Sequence, residues 1–213
     1  HADYTYDCKY GFRDYRGGGR SSGRETIGRV AAGAVAAKIL KELGITICTY
    51  TRSIGPVEID DSRFDREEIG KNAFSMPDAE AAEKAAAYTK QCMEEQNSVG
   101  GVIECVVTGM PAGAGDPCFE KLDANLAKAI LSIGAVKGFE IGDGFRAARA
   151  RGTENNDAFV NRGNGIEKET NHAGGVLGGI SDGSELVFRA AIKPTPSVAA
   201  VQHTSARPEK TGN

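Results

Sequence analysis

Three consecutive glycines stand directly before a helical pattern, and this junction constrains the fold of the chain more than any other feature. Residues 16–26 have the sequence Arg-Gly-Gly-Gly-Arg-Ser-Ser-Gly-Arg-Glu-Thr, and glycine allows tight turns and a close backbone approach to a ligand. Ser22 and Glu25 have the spacing of a capping box, which predicts that a helix begins near Gly23. Gly44 predicts its end. Apolar residues recur at helical spacing in between, at Ile27, Val30, Ala31, Ala34, Val35 and Ile39.

The same junction has the composition of an anion-binding site. The first turn of a helix offers free N–H groups and the positive end of the helix dipole. Ser21 and Ser22 add hydroxyl groups, and Arg16, Arg20 and Arg24 add guanidinium groups suited to phosphate or carboxylate. The segment therefore predicts an anion site, and the alternative is a plain glycine loop with solvated arginines.

Two common nucleotide-binding motifs do not fit this segment. A Walker A loop needs Lys and then Ser or Thr where Arg24 and Glu25 stand. No G-x-G-x-x-G pattern follows a predicted strand, so a Rossmann dinucleotide site is not supported either.

Composition narrows the class of protein. The formal net charge of −3 argues against a nucleic-acid or anionic-membrane surface, because both need a basic excess. No apolar run approaches the roughly 20 residues that span a bilayer. The 5 cysteines are widely spaced and form no CxxC pair, which favours reduced thiols in a cytoplasmic protein over a disulfide framework or a zinc site.

The remaining pattern is that of long helices placed between strands. Residues 1–15 are expected to form an extended, partly buried lead-in, and residues 60–77 and 151–170 to form polar loops. Helices are predicted over 79–95 and 120–133. Strands are predicted over 45–50, 101–108, 136–141 and 185–192.

Three further places carry chemistry. The segment Asn171–Gly179 has four glycines that allow backbone to pack against a flat ligand, and His172 within it is either a structural hydrogen-bonding residue or a catalyst. Lys193–Ser197 contains two prolines and is either a phosphate-holding strand end or a surface loop. His1 could act as an acid or base near neutral pH, or it is a frayed end.

Several of these segments resemble the chorismate synthase family in order and spacing: residues 1–6, 15–22, 138–145, 171–179 and 193–197. The resemblance covers nearly the whole chain apart from the tail after about Val201. It implies an α+β fold, a β-α-β sandwich with helices packed between antiparallel sheets. Residues 1–201 would be the central part of a single domain and residues 202–213 a polar, poorly ordered tail.

The resemblance also implies a lyase of the shikimate pathway of aromatic amino acid biosynthesis. Its members convert 5-enolpyruvylshikimate 3-phosphate to chorismate by a trans 1,4-elimination of phosphate. The family requires reduced FMN although no net redox change occurs, and some members use NAD(P)H to reduce the flavin. The usual assembly is a cytoplasmic homotetramer that binds neither nucleic acid nor membrane.

Matching residue by residue, the resemblance assigns a catalytic role to His1 and substrate binding to Arg20 and Arg24. The positions that match flavin contacts are Arg20, Ser21, Ser22, Gly134, Ala135, Gly178, Lys193, Pro194, Thr195, Pro196 and Ser197. Family members also have an N-terminal Gly-Glu-Ser-His-Gly motif and a C-terminal Arg/Asp motif, and neither occurs here. We therefore expect this chain alone to be inactive, to bind FMN poorly and to leave apolar sheet surface uncovered.

Two other functions remain open from the residues themselves. One is a different phosphate-binding enzyme, such as a nucleotide or sugar-phosphate transferase that uses residues 16–24. The other is a non-catalytic assembly module built from the Ala-rich helices at 79–95 and 120–133.

Overall fold

A computed structural model describes residues 2–161, 163 and 165–203. The α-helices are α1 (Asp3–Tyr10), α2 (Thr26–Glu42), α3 (Ala79–Glu94), α4 (Leu122–Leu131) and α5 (Gly152–Asn155). The strands are β1 (Thr46–Ile54), β2 (Val57–Glu58), β3 (Gly101–Thr108), β4 (Val136–Ile141), β5 (Phe159–Asn161), β6 (Ile166–Lys168), β7 (Val176–Leu177), β8 (Ile180–Ser181) and β9 (Leu186–Ile192). None of the described helices is long and apolar enough to cross a bilayer.

Five strands form one antiparallel sheet in the order β2-β1-β3-β9-β4. The two remaining strand pairs, β5-β6 and β7-β8, are small hairpins. Predicted strands at 101–108 and 136–141 coincide with β3 and β4, and helices predicted at 79–95 and 120–133 correspond to α3 and α4. The α+β class is confirmed, and the described residues contain one large sheet of the expected sandwich.

Helix α4 covers one face of the sheet. Alternate side chains point to the same face of a strand, so Cys105 and Val107 of β3 lie beside Leu186 and Phe188 of β9 in one core cluster. Side chains of α4 pack on this cluster, among them Leu126. The apolar face of α4 therefore packs against the sheet, and its helical spacing predicted that this face is buried.

Helix α3 covers part of the opposite face. Its small residues Ala81, Ala82 and Ala85 are buried in a second cluster that includes Met76. The helix begins at Asp78, whose carboxylate accepts hydrogen bonds from the backbone N–H groups of Glu80 at 3.0 Å and Ala81 at 3.1 Å. This is the cap position at which a carboxylate stabilises a helix most directly.

Helix α2 differs, because none of its residues is buried. The predicted helix forms, yet the apolar residues Ile27 and Val30 are 77% and 71% exposed. Only its last turn reaches the sheet, where Leu40 packs against the α4-side cluster. Within the described residues this face has no partner.

Two predictions of local structure were wrong. The lead-in at residues 1–15 is not extended, because residues 3–10 form α1 with Asp3 in its first turn, Lys9 in its last and Gly11 in the left-handed conformation after it. The polar stretch 151–170 is not a plain loop, since it contains α5 and the β5-β6 hairpin. Most of the tail predicted at 202–213 lies outside the described residues.

Candidate functional site

The glycine-rich junction forms a sharp entry into α2. Gly18 and Gly19 adopt φ values of +80° and +50°, which favour glycine. Two short 3-10 turns follow, Gly19–Ser21 and Gly23–Glu25, and α2 proper starts at Thr26 rather than near Gly23. The chain reverses direction here and exposes the backbone of the loop beside the start of the helix.

Only half of the predicted capping box forms. Ser22 is extended, and its Oγ accepts a hydrogen bond from the backbone N–H of Arg24 at 3.3 Å. The carboxylate of Glu25 does not accept from the backbone N–H of Ser22, as a complete capping box requires. It accepts instead from Arg29 Nε, one turn later, at 3.1 Å. No described residue accepts the hydroxyl proton of Ser22, so this group can donate to an anionic ligand.

Three arginines surround this entry without a counter-charge. Arg16, Arg20 and Arg24 are exposed and form no ion pair with any described residue. Arg13 in the same loop is different, since it binds Asp3 at 3.2 Å and Asp7 at 2.7 Å. Guanidinium groups that have no described carboxylate partner favour an anionic ligand.

A cavity of about 590 Å³ lies at this entry. Its walls include Arg16, Ser21, Ser22 and the backbone of residues 17–18. A Cβ added to Gly18 would lie 3.1 Å from Ser21 Oγ, so a side chain there would crowd the hydroxyl that donates to Gly18 O at 2.6 Å. The small size of the loop residues keeps this space open.

Two more of the predicted flavin segments touch each other. The N–H of Lys193 donates to the carbonyl of Ala135 at 3.0 Å, next to the pairing of Val136 with Ile192 at the end of the sheet. Ala135 has a φ of +70°, which is strained for a residue with a Cβ. The carbonyl of Thr195 is held by Ser98 Oγ at 2.6 Å.

Arg29 joins this end of the sheet to the glycine-rich junction. Its guanidinium donates to Ser132 Oγ at 2.8 Å and to Ser132 O at 3.2 Å. Ser132 ends α4, two residues before Gly134. The first turn of α2 therefore lies beside the end of α4, and residues 20–24, 134–135 and 193–197 share one end of the molecule.

Gly178 lies at the other end. The carbonyl of its neighbour Gly179 accepts a hydrogen bond from Leu122 N, at the start of α4, at 2.8 Å. Helix α4 has 10 residues and is about 15 Å long. The structure thus groups three of the four predicted flavin segments and separates Gly178 from them by the length of a helix.

His172 is a hydrogen-bonding residue within this second region. Its Nδ1 lies 2.9 Å from Asp157 Oδ1. Burial opposes ionisation of Asp157, but hydrogen bonds from Ala173 N, Thr170, His172 N and Lys168 hold the pKa of this carboxyl well below its usual range. A carboxylate only accepts, so Nδ1 carries the proton and the ring is held in one orientation.

Charged residues inside three apolar strands form a group that the sequence patterns did not indicate. Glu104 of β3 pairs in register with Tyr50 of β1 and Arg189 of β9, and Arg189 pairs with Glu140 of β4. Glu104 accepts from the Tyr50 hydroxyl and lies 3.4 Å from Arg189 Nη1. Two members of this row, Glu140 and Arg189, line a polar cavity of about 410 Å³. A charge within an otherwise apolar strand is the signal that could have revealed it.

The predicted catalytic residue His1 lies outside the described residues. Among the residues that the structure does describe, no cluster of His, Cys, Asp and Glu is placed to hold a metal ion.

Comparison with known proteins matches this architecture to one family. The chorismate synthase family model matches residues 1–212. The chain is 68% identical over 204 residues to the chorismate synthase of Agathobacter rectalis, which covers 96% of this chain and 56% of that protein. It is 50% identical over 206 residues to the chorismate synthase of Methanococcoides burtonii, with the same coverage.

A solved structure gives the same match at the level of the fold. A crystal structure of chorismate synthase superposes with a TM-score of 0.83 at 36% identity, over 91% of this chain and 63% of that chain. The chain therefore spans a little more than half the length of the curated relatives it matches.

Proposed function

The chain belongs to the chorismate synthase family, and we propose that it contributes to the conversion of 5-enolpyruvylshikimate 3-phosphate to chorismate in a protein of its relatives' full length. The reaction is a trans 1,4-elimination of phosphate with reduced FMN as the cofactor. The chain alone, which spans about half of such a protein, is proposed to be inactive and to bind FMN poorly.

The observation that carries this proposal is the set of uncompensated cations at the start of α2. Arg16, Arg20 and Arg24 have no described carboxylate partner, and Arg16 lines a cavity of about 590 Å³ together with Ser21 and Ser22. The substrate carries phosphate and carboxylate groups, and FMN carries a phosphate. Guanidinium groups bind both kinds of anion through paired N–H donors.

The described residues include hydrogen-bond donors that suit the phosphate group of FMN. Ser22 keeps a hydroxyl proton to donate, since its oxygen already accepts from Arg24 N. Lys193 is positioned by its N–H bond to Ala135 O, and we assign residues 134–135 and 193–197 to the same cofactor. Reduced FMN, when bound, supplies electron density to the substrate without net redox change.

Roles for this chain's own residues follow from their chemistry. Arg20 and Arg24 would bind and orient the anionic groups of the substrate, and would stabilise the negative charge on the departing phosphate. Arg20, Ser21 and Ser22 would bind the cofactor. Gly178 and the catalytic role of His1 rest on the family resemblance alone, as do reduction of the flavin by NAD(P)H, the homotetramer and the cytoplasmic location.

Substitution of the arginines tests this function. In the full-length protein, Arg20→Ala and Arg24→Ala should each lower kcat/KM for the elimination by at least about 100-fold, because each removes a charge-assisted contact worth roughly 3 kcal/mol. Arg66→Ala is the matched control, because Arg66 is exposed in a short turn at residues 66–70 before α3. Equal activity in all three variants would contradict the assignment of the site.

Ligand titration separates the two other functions. Reduced FMN and the substrate should bind the full-length protein cooperatively, whereas ATP should not bind. Binding of ATP with no effect of FMN would favour a different phosphate-binding enzyme. An assembly module built on α3 and α4 would bind none of the three.

A further inference from the structure

A buried charged network joins residues on both sides of the glycine-rich segment 171–179. Its members are Asp157, Lys168 and Asp182, whose side chains are only 3%, 2% and 7% exposed. Lys168 Nζ lies 3.2 Å from Asp157 Oδ2, 2.7 Å from Asp182 Oδ2 and 3.1 Å from Asn171 Oδ1. The ammonium group thus has three oxygen neighbours, which matches its three donors.

The same network fixes the backbone of the glycine-rich segment. Asp157 accepts from His172 N at 2.8 Å and from Ala173 N at 3.0 Å. Asn171 Oδ1 accepts from Gly175 N at 2.9 Å, and Asn171 Nδ2 donates to the carbonyl of Glu185 at 2.9 Å. The backbone N–H groups of residues 172, 173 and 175 are therefore held by the side chains of Asp157 and Asn171.

Glycines allow the segment to approach its neighbours this closely. A Cβ on Gly174 would lie 2.3 Å from Gly142 N, and a Cβ on Gly175 would lie 2.5 Å from Glu185 O. By contrast, a Cβ on Gly178 would have no heavy atom within 4 Å, and Gly178 is exposed. Side-chain hydrogen bonds therefore hold residues 172–175, whereas Gly178 is exposed.

Stability alone is a weak reason to bury three charges. Removing ions from water costs several kcal/mol each, and apolar side chains of similar volume usually give equal or greater stability. A network of this kind can instead specify one backbone conformation among several. Here the conformation is that of segment 171–179, since the hydrogen bonds of Asp157 end on its N–H groups.

We infer that Asp157, Lys168 and Asp182 are positioning residues that hold segment 171–179 in the conformation that contacts flavin at Gly178. The ligand in this inference rests on the proposed function, whereas the order of the segment does not. The two parts can therefore be measured separately.

The test compares Lys168→Met with Asp78→Asn in the full-length protein. Lys168→Met removes the charge with little change in volume, and Asp78→Asn weakens a buried carboxylate at the start of α3, on the opposite face of the sheet. Lys168→Met should raise the apparent Kd for reduced FMN at least about tenfold and speed amide hydrogen exchange at 171–179 by a similar factor. Asp78→Asn should lower the melting temperature without either effect.

Asp182→Asn is the second variant, because it keeps the Lys168–Asp157 pair and is the milder change if Lys168→Met does not fold. It should raise both quantities by a smaller factor. Unchanged exchange at 171–179 in whichever Lys168 or Asp182 variant folds would overturn the inference, as would equal changes in Asp78→Asn. If the unmodified protein does not bind reduced FMN, the proposed function fails, and the exchange rates alone still decide whether these residues position the segment.

Discussion

Helices α2 and α3 are nearly equal in length and both rich in alanine, yet they meet opposite environments. Helix α3 has 16 residues and buries Ala81, Ala82, Ala85 and Cys92 against the sheet. Helix α2 has 17 residues and buries none, although it carries more large apolar side chains. An apolar helix face predicts burial, but it does not say that the partner lies within the same stretch of chain.

The exposure of α2 is consistent with a chain that spans only part of its relatives' length. The chain covers 56% of the chorismate synthases that it matches, and the apolar side chains of α2 form an exposed surface of the kind that marks a contact site. We therefore expect residues beyond this span to cover α2 in a full-length protein. Substitutions in the two helices test this expectation.

The largest effect is expected at the start of α3. Asp78→Ala removes the cap of the helix and the partner of Arg63, whose Nη2 lies 2.8 Å from Asp78 Oδ2. Loss of both should lower the free energy of unfolding by about 3 kcal/mol. Chemical denaturation measures this value, and a loss below roughly 1 kcal/mol would mean that α3 is held by packing alone.

Enlarging a small residue tests packing directly. Ala85 is fully buried in α3, so Ala85→Leu should cost about 2 kcal/mol through overpacking. Ala34→Leu in the exposed α2 should change the stability of a protein limited to these residues by less than about 0.5 kcal/mol.

The same two variants in a full-length protein test whether α2 is covered there. If other residues cover α2 there, Ala34→Leu should become destabilising and approach the cost of Ala85→Leu. A negligible cost of Ala34→Leu at both lengths would contradict our expectation that α2 has a partner.

Acid should weaken α3 through its cap. Burial opposes ionisation of Asp78, but hydrogen bonds from Arg63 and from the N–H groups of Asp60 and Ala81 lower its pKa to about 2. A carboxyl with a lowered pKa stabilises the folded state above its unfolded value near 4, and this contribution is lost as the pH falls from 4 toward 2. The loss should reach about 2 kcal/mol, and denaturation of Asp78→Asn across this range should lack that component.

The smallest effect is expected at the cap of the 3-10 turn Gly23–Glu25, which precedes α2. Ser22→Ala removes one hydrogen bond to Arg24 N and should cost about 1 kcal/mol or less, because the position is partly exposed. Loss of FMN affinity in this variant beyond its loss of stability would support a direct contact between Ser22 and the cofactor. Ser62→Ala, at an exposed turn, is a suitable control for loss of a serine hydroxyl.

Local patterns predicted much of the fold. Periodicity and turn residues located α3, α4, β3, β4 and the end of α2 at Gly44, because each depends on neighbours within a few residues. Helix α1 was missed since its apolar spacing is weak, although Asp3, Lys9 and Gly11 were the terminal signals that could have identified it. The anion site at the glycine-rich loop stays a prediction, and it could be made because its glycines, serines and arginines are contiguous.

Contacts between distant residues were not predictable in this way. Glu25 has the correct spacing for a capping box, but its carboxylate binds Arg29, which bonds to Ser132 about a hundred positions away. In the sequence, Lys168 and Asp157 are two polar residues of a stretch predicted to be a loop. Only the fold brings them together with Asp182 at less than a tenth exposure.

The sequence by itself determined α3, α4, β3 and β4, the composition that predicts an anion site at residues 16–26, and the resemblance to a family, because these depend on residue type and short spacing. Tertiary structure alone decided that residues 134–135 and 193–197 join the start of α2 at one end of the sheet, while Gly178 lies at the other. It also decided that α2 is uncovered and that a buried ion network holds segment 171–179. Strand register and helix packing set these distances, and both are determined by contacts between residues far apart in the chain.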